Sequence, residues 1–302
     1  MEHLPLPLNS QVTTPSAPRS AVHFPATASL LPQATIASAI AITSVIAAKD
    51  GRPIHGTIGF VGALIRVIRS IKPTHTAAIF DGENPSERSA LYGMYKANRT
   101  DYSGMKVEDT PFSQLKDIYS ALDALNIKHA ETCGCETDDI IAAYAHRYGE
   151  ACEIVIMSFD SDYFQLITKN VTVLRYRGKN TTLCTEEYIL EKYGIRPGDY
   201  ADFKSLTGDS ADNIKGACKV GPKTAAELIN SFGGIDDIIA AADMIKKPSI
   251  RESIIKSGER LKLNKRLIRL DGGHALPFEK EALVFYDKGQ TSTRLLKELG
   301  VL

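Results

Sequence analysis

Two aspartates stand one residue apart directly after an apolar run in the middle of the chain. Asp160 and Asp162 lie in "MSFDSDYFQL" (157–166), which follows "CEIVIM" (152–157). An ionised carboxylate beside buried strand residues is costly unless a cation, a helix N-terminus or water compensates it. The pair therefore predicts a set of metal ligands, a helix cap or a solvated turn.

Further carboxylates stand beside predicted strands and helices. Asp81 ends the apolar run "THTAAIFDG" (74–82), and the predicted helix "ETDDIIAAYAHRYG" (136–149) begins with three acids: Glu136, Asp138 and Asp139. Taken singly, each is explained by a turn preference, the helix macrodipole or an N-cap. At one edge of a parallel sheet they would meet and repel each other. Mg²⁺ or Mn²⁺ offsets such repulsion, and paired cations stabilise both oxygens exchanged in phosphodiester cleavage.

A second acidic pair precedes a glycine-containing turn. In "TGDSADNIKGACKVGPKTAAELI" (207–229), Asp209 and Asp212 are three residues apart and so lie on one side of a turn. The glycines and the following helix N-terminus offer backbone N–H groups to phosphate, and nearby lysines add charge: Lys215, Lys219 and Lys223. Such a hairpin can hold a DNA backbone without reading its sequence. The alternative is an ordinary corner between two helices with solvated lysines.

The segment 83–110 is polar and interleaves basic with aromatic residues. It includes Tyr95, Lys96 and Arg99. This pattern suits single-stranded nucleic acid, which binds through charge and base stacking. A surface loop without a ligand is the alternative interpretation.

Strands alternate with helices up to about residue 185 and then stop. The apolar periodicity predicts helices at 56–71, 111–125 and 136–149, and strands at 74–82, 153–158 and 171–178. This alternation predicts an α/β fold with a parallel-rich central sheet covered by helices on both faces. Short helices separated by Gly or Pro follow in the second half. We therefore divide the chain into three segments: 1–43, 44–185 and 186–302.

Composition restricts the class of protein. The 302 residues carry 36 basic and 36 acidic side chains, so net charge favours neither a nucleic-acid nor a membrane partner, although a local basic groove is compatible. Five cysteines at irregular spacing predict a reducing, cytoplasmic compartment, and Cys133 and Cys135 are too close for the usual zinc knuckle. The charge-poor segment 1–43 predicts a disordered tail that runs into one strand or helix. We expect a monomer with no membrane partner.

Four fragments together resemble the 5′→3′ exonuclease/flap endonuclease family. They are "FDG…YKANR", "ETDDIIA", "SFDSDYFQL" and "GDSADNIKGACKVGPKTA", in that order and spacing. The likeness covers roughly residues 44–302 and includes the stand-alone bacterial enzymes and the nuclease domain of bacterial DNA polymerase I. It implies a PIN-like, flap-endonuclease-like α/β domain with an arch at 83–110 and a C-terminal helix-three-turn-helix region. The implied reaction is two-metal hydrolysis of DNA at a 5′ flap, nick or 5′ end.

The resemblance also implies roles for single residues. Ligands or near ligands of a first Mg²⁺ or Mn²⁺ would be Asp81, Glu136, Asp138, Asp139 and Asp160, and those of a second would be Asp162, Asp209 and Asp212. Lys96 and Arg99 would contact the scissile phosphate as catalytic residues, with Tyr95 beside them on DNA. The hairpin at 214–224 would grip duplex DNA and hold K⁺ through backbone carbonyls; its contacts would be Lys215, Gly216, Lys219, Gly221, Lys223 and Thr224.

The N-terminus departs from the family pattern. Family members begin with a strand ending in Asp-Gly, and that Asp is a metal ligand. Here the first aspartate is Asp50, and "TIASAIAITS" (35–44), which could occupy the strand position, has no carboxylate. Two functions therefore stay open: a metal-dependent 5′ nuclease, and a DNA-structure-binding protein that does not cleave. A phosphatase using Asp160 and Asp162 would leave the hairpin unexplained, and an RNA-directed nuclease of related fold would lack it.

Overall fold

The computed structural model describes residues 33–37, 47, 51–82, 87–99, 104–107 and 110–302. Six strands of the described chain form one sheet: β1 (Gln33–Ala37), β2 (His75–Phe80), β3 (Lys128–Glu131), β4 (Glu153–Met157), β5 (Val171–Arg175) and β6 (Thr182–Cys184). Their order is β3-β2-β1-β4-β5-β6, and all neighbours are parallel except β6, which pairs antiparallel with β5. The predicted parallel-rich sheet is confirmed. The polar strand β3 and the three-residue β6 were not predicted.

Helices cover both faces of the sheet. They are α1 (His55–Ile71), α3 (Leu115–Ala124) and α4 (Thr137–Tyr148), while the short helix α2 (Glu87–Leu91) lies beside the end of α9 (Pro248–Ile268). Successive strand side chains point to opposite faces, so Ala77 and Ile79 of β2 belong to the core under α4. Ala78 and Phe80 belong to the core under α1 and α3. Strands buried on both faces explain the continuous apolar runs seen in the sequence.

The second half of the chain is helical. It contains α5 (Glu186–Tyr193), α6 (Tyr200–Thr207), α7 (Pro222–Phe232), α8 (Ile235–Ala240), α9 (Pro248–Ile268) and α10 (Ser292–Glu298), with a small ladder of β7 (Gly208–Asp209) and β8 (Ile214–Lys215). The core beneath α4 continues into α6, α7 and α9, so both halves share it. No helix in the described ranges combines the length and apolar composition needed to cross a membrane.

Strand β1 occupies the centre of the sheet, between β2 and β4. Its last residue, Ala37, pairs with Ala78 of β2 and with Met157 of β4. The sheet therefore begins ahead of the boundary at residue 44, and β1 is the strand into which the predicted tail runs. The rest of that tail lies outside the described residues, as do 83–86, 100–103 and 108–109 of the arch.

The C-terminal segment returns to the α/β layer. The Phe285 N–H donates to the Thr74 carbonyl at 2.8 Å, and Leu295 and Leu296 of α10 are buried in the core beneath α1. Residues after 284 therefore close one side of the sheet layer.

Removing a buried α10 side chain should measure how much this closure stabilises the fold. We expect Leu296→Ala to lower the free energy of unfolding by about 2–4 kcal/mol, because Leu296 is 1% exposed and the change leaves a cavity. The matched control is Leu302→Ala, at a leucine that is 43% exposed, for which the loss should stay under about 0.5 kcal/mol. Urea unfolding compares the two variants. Equal losses would show that α10 does not close the layer.

Candidate metal centre and nucleic-acid interface

A cavity of about 460 Å³ opens beyond the carboxyl ends of β2 and β4. Five of the predicted carboxylates line it: Asp81, Asp138, Asp160, Asp209 and Asp212. They come from four separate parts of the chain: the end of β2, the first turn of α4, the end of β4 and the β7–β8 region. Lys96 and Arg99 line the same cavity. The structure thus brings together acidic and basic residues that the sequence predicted for one site.

Short hydrogen-bonded contacts position the acids that follow the strands. Asp81 Oδ1 accepts the Thr137 N–H at 2.9 Å, at the start of α4. Asp160 Oδ1 accepts the Asp162 N–H, also at 2.9 Å, at the start of the 3₁₀ turn Asp162–Leu166. Asp160 therefore makes a backbone contact of the kind considered for it from the sequence, whereas the contact of Asp81 with α4 was not predicted. Each cap engages one carboxylate oxygen, so capping and a place in the cavity coexist.

Asp138 is the acid whose ionisation the fold resists most. Burial raises its pKa to about 8, and the negative charges of Asp160 and Asp81 act in the same direction. The Tyr163 hydroxyl donates a hydrogen bond to Asp138 Oδ1 and opposes this shift. Mutual repulsion among these carboxylates is the state that a divalent cation would relieve.

The raised pKa of Asp138 predicts how stability changes with pH in EDTA. Its carboxyl binds a proton more tightly in the folded chain (pKa about 8) than at its ordinary value of 3.8. This stabilisation is complete below about pH 4 and is lost as the pH rises through about 8. We expect urea unfolding to show a free energy about 4 kcal/mol lower near pH 8.5 than near pH 5, because each pH unit between the two pKa values changes it by about 1.4 kcal/mol. The difference should shrink in Asp138→Asn, and an unchanged difference would refute the assignment.

The second acidic group is compensated by cations of the protein itself. Ligand oxygens of Asp162, Asp209 and Asp212 lie within 4.8 Å of one another. Lys204 of α6 contacts Asp162 and lies 2.5 Å from Asp209 Oδ2, while Arg99 NH2 donates to Asp212 Oδ1 at 2.7 Å. Burial raises the pKa of Asp162 to about 7 despite Lys204. At the half-buried Asp209 burial acts the same way, but Lys204 outweighs it and the pKa is lowered.

Sequence reasoning missed Lys204. It lies in "DYADFKSLTG" (199–208), between the buried residues Phe203 and Leu206. A lysine on the apolar part of a helix, five residues before Asp209, is the signal that could have identified it. Its burial implies a carboxylate partner.

Glu136 meets the base of the arch. It is the N-cap residue of α4, and its Oε2 accepts from Lys96 Nζ at 2.8 Å and from the Tyr95 hydroxyl at 3.1 Å. Tyr95 is only 6% exposed. The Tyr95 hydroxyl therefore supports Glu136, and its contact with DNA stays a prediction.

Hydrogen bonds join the arch base to the turn that carries Asp212. The Lys96 N–H donates to the Asp212 carbonyl at 3.1 Å, and Lys96 has a φ of +55°. Asn213 Nδ2 donates to the Met94 carbonyl at 2.8 Å, with a φ of +59° at Asn213. Lys96 and Asn213 thus have left-handed backbone conformations on either side of this contact. Backbone strain of this kind is often found at functional sites.

Asp139 lies apart from the shared cavity. Arg88 NH1 and NH2 contact its two oxygens at 2.5 and 2.7 Å, and the Asp271 N–H donates to Oδ1 at 2.9 Å. Burial would raise the pKa of Asp139, but Arg88 outweighs it and the pKa is lowered. The predicted near ligand is therefore a buried ion-pair partner that ties α2 and α4 to the end of α9. Arg88, in the polar arch segment, carried no sequence signal for this role.

The predicted hairpin is built by α6, the β7–β8 ladder and α7. Gly216 is required there, because a Cβ would lie 2.3 Å from the Leu206 carbonyl oxygen. Gly221 is the N-cap of α7, and Thr224 lies in its first turn. The three predicted lysines are exposed: Lys215, Lys219 and Lys223. The hairpin therefore presents a basic surface beside the second acidic group.

Comparison with known protein families identifies the chain. The model described as "5'-3' exonuclease, N-terminal resolvase-like domain" matches residues 36–194, and "5'-3' exonuclease, C-terminal SAM fold" matches residues 195–291. The chain belongs to the 5′-3′ exonuclease family. The resemblance drawn from the sequence fragments is confirmed, and the family is one of DNA-hydrolysing enzymes.

Relatives within the 5′-3′ exonuclease family include fused and stand-alone proteins. DNA polymerase I of Rhizobium leguminosarum is 36% identical over 244 residues, which are 78% of this chain and 23% of that protein. The chain thus spans about a quarter of the length of such polymerases. A 5'-3' exonuclease of Buchnera aphidicola is 32% identical over 231 residues, covering 73% of this chain and 78% of that protein.

Solved structures share the fold of this exonuclease-family chain. A bacteriophage T5 flap endonuclease variant in complex with DNA and metal ions has a TM-score of 0.65 at 20% identity, covering 78% of this chain and 88% of that one. The catalytic core of Rad2 with a DNA substrate has a TM-score of 0.54 at 14% identity, covering 89% and 93%. The likeness supports a PIN-like layer followed by a helical region.

The carboxylates of the cavity offer only oxygen atoms as ligands, which suits Mg²⁺ or Mn²⁺. The pKa of Asp138 is raised, so a cation in the cavity would stabilise its ionised form. The family resemblance predicts one more ligand, an Asp at the end of the first strand. Asp81 stands three residues after Ala78 and Asp160 three after Met157, and both strand residues pair with Ala37. The three residues that follow Ala37 carry no carboxylate: Ser38, Ala39 and Ile40.

Proposed function

We propose that this chain is a metal-dependent 5′→3′ exonuclease and 5′-flap endonuclease that hydrolyses DNA with two Mg²⁺ or Mn²⁺ ions. The observation that carries the proposal is the single cavity in which five carboxylates lie together with Lys96 and Arg99. Hydrolysis of a phosphodiester by this mechanism needs carboxylates to hold the cations and basic side chains to bind the phosphate. Here they come from both halves of the fold.

Two groups of carboxylates would hold the ions. The first is Asp81, Asp138 and Asp160, with Glu136 beside Lys96; the second is Asp162, Asp209 and Asp212. When bound, divalent cations lower the pKa of water and stabilise charge on the attacking and leaving oxygens. In the absence of those cations, Lys204 and Arg99 offset two of the three negative charges of the second group, so these two side chains must exchange partners as the site fills.

Lys96 and Arg99 would bind the scissile phosphate. Both line the cavity, and the Arg99 side chain is 53% exposed at its mouth. A guanidinium pairs with phosphate through two parallel hydrogen bonds, so a phosphate competes directly with Asp212 for Arg99. Glu136 holds Lys96 Nζ at 2.8 Å and orients it toward the same space.

The hairpin would hold the duplex part of the substrate. Its exposed lysines and the N-terminus of α7 suit phosphate contacts that position DNA without reading bases. The proposal includes K⁺ at 214–224, where the sequence offers carbonyl and hydroxyl oxygens but no Asp or Glu. With the duplex held there, the 5′-terminal strand at a flap, nick or 5′ end would reach the base of the arch.

Removing a hairpin lysine should weaken DNA binding uniformly. We expect Lys223→Ala to lower affinity for duplexes of any sequence and to reduce the slope of log K against log[salt] by about 1, because one phosphate contact is lost. Lys288→Ala is the matched control. Lys288 is also exposed, but it follows Phe285, whose N–H donates to the Thr74 carbonyl at the start of β2, the opposite end of that strand from Asp81. Fluorescence anisotropy across a salt series measures both. Equal effects would remove the hairpin from the interface.

The sequence after β1 supports a second candidate, a DNA-structure-binding protein without cleavage. The family resemblance implies a ligand Asp directly after the first strand. In this chain the three residues after Ala37 carry no carboxylate. The first group then has one acid fewer to hold its ion.

Cleavage of a 5′-labelled flap duplex in Mg²⁺ or Mn²⁺, with an EDTA control, decides between the candidates. Metal-dependent product confirms the nuclease. Flap binding without product favours the second candidate, and Ile40→Asp, three residues after Ala37, should then restore cleavage. Neither binding nor cleavage would refute both.

A further inference from the structure

The loop between β3 and α4 carries two cysteines around one glycine. Cys133 is exposed and Cys135 half-buried, with Gly134 between them at a φ of +77°. The remaining cysteines lie elsewhere: Cys152 and Cys184 are buried, and Cys218 is exposed in the hairpin. The family likeness does not involve the Cys-Gly-Cys sequence.

The backbone reverses direction between the two cysteines. The chain bends at each of residues 133–135, and the left-handed glycine permits the reversal. Residues two apart across a bend fall within the Cα separation of about 4.4–6.8 Å that a disulfide spans.

We propose that Cys133 and Cys135 form a reversible disulfide, a redox-modification site whose closure alters metal binding in the neighbouring acidic cavity. This goes beyond the proposed nuclease function, since the oxidation itself needs no DNA and no cleavage. A soft-metal site is disfavoured: among the described residues, the one group of three or more potential ligands is Asp162, Asp209 and Asp212. Two thiolates alone do not complete a zinc site.

Exchange with a small-molecule disulfide balances the reaction. The exposed Cys133 thiolate attacks one sulfur of that molecule, whose S–S bond breaks and releases one small thiol. The Cys135 thiolate then attacks Cys133 Sγ in the mixed disulfide, and the second small thiol leaves. Both cysteine protons end on the two released thiols. The chain is oxidised and the small disulfide is reduced.

Both ends of the loop are attached to the end of β2, which couples the disulfide to the cavity. The Thr132 N–H donates to the Phe80 carbonyl at 2.9 Å, and a Cβ at Gly82 would lie 1.9 Å from the Thr132 oxygen. At the other end, the Thr137 N–H donates to Asp81 Oδ1 at 2.9 Å. We expect ring closure inside this short span to alter the position of Glu136 or the Thr137 contact with Asp81.

Thiol counting tests the modification. The full chain is equilibrated in glutathione buffers of increasing oxidation, quenched in acid, then unfolded and alkylated. With five cysteines in the sequence, mass spectrometry should show five adducts when reduced and three when oxidised, with both missing from residues 133 and 135. Cys218→Ser should still lose two adducts, whereas Cys133→Ser should lose none. Full alkylation of residues 133 and 135 at every potential, or pairing with Cys218, would overturn the disulfide.

Calorimetric Mn²⁺ titration of both forms tests the coupling. We expect oxidation to weaken binding by about tenfold, the scale of changes beside metal ligands. Cys133→Ser, exposed to the same buffers, should show no such shift. Equal Mn²⁺ affinity of the oxidised and reduced chain would overturn the coupling. Absent Mn²⁺ binding in the reduced chain would count instead against the proposed metal centre.

Discussion

Asp138→Asn will abolish divalent-dependent cleavage of a 5′-flap duplex while leaving the chain folded and able to bind DNA. Asp138 lies between Asp81 and Asp160 at the edge where β2 and β4 end. Asparagine removes the charge that would hold a cation but keeps an oxygen for the Tyr163 hydroxyl. The rate should fall by at least about a hundredfold, since a catalytic cation contributes several kcal/mol to the transition state.

The matched control is Asp243→Asn, at an exposed aspartate outside the cavity. Cleavage and flap affinity are measured for both variants, with circular dichroism as a check on folding. Asp243→Asn should retain the parent rate. Retained cleavage in Asp138→Asn would remove Asp138 from the metal centre. Lost DNA affinity at an unchanged cleavage rate would sink the metal assignment of the whole acidic group.

The acidic edge could be predicted because two local signals agree there. Apolar runs identify β2 and β4, and Asp81 and Asp160 follow them directly, so parallel pairing alone brings both to one edge. Asp138 and Asp139 could not be separated in this way. They are neighbours in the first turn of α4 and point about 100° apart, and only the packing of Arg88 shows which one leaves the cavity.

Long-range partners explain the remaining differences from the prediction. Lys204 and Arg88 reach acids 42 and 51 residues away, and no spacing rule connects such positions. Helix α9 has 21 residues and is longer than the short helices predicted for the second half, because Ile250 and Ile254 extend its buried face toward Pro248. Strand β3 is polar because it is a sheet edge, half covered by α3. Its sequence therefore lacks the apolar run by which the buried strands were predicted.

Lys204→Met will destabilise the protein in EDTA and change how its stability depends on pH. The Lys204 side chain is 9% exposed and contacts both Asp162 and Asp209. Methionine preserves the apolar stem, so the chief loss is the ammonium that compensates two carboxylates. Breaking a buried ion pair on one side costs about 3–5 kcal/mol, because the remaining charge is left uncompensated.

The loss should depend on pH in a defined direction. Burial already raises the pKa of Asp162 to about 7, and removing Lys204 raises it further. Below that pKa the carboxyl takes up a proton and needs no cation. Urea unfolding should therefore show a large deficit near pH 8 and a small one near pH 5, each relative to the parent. Mg²⁺ should narrow the deficit at the higher pH, because bound cations stabilise only the folded chain.

Lys262→Met is the matched control. Lys262 lies on α9 and pairs with Glu259 at 3.0 Å, but the two side chains are 45% and 91% exposed. Exposed pairs of this kind contribute at most about 1 kcal/mol, and pH should alter the effect little. If Lys204→Met lost the same free energy near pH 5 as near pH 8, the ammonium would act through packing alone. Lys204 would then not stand in for the second divalent cation.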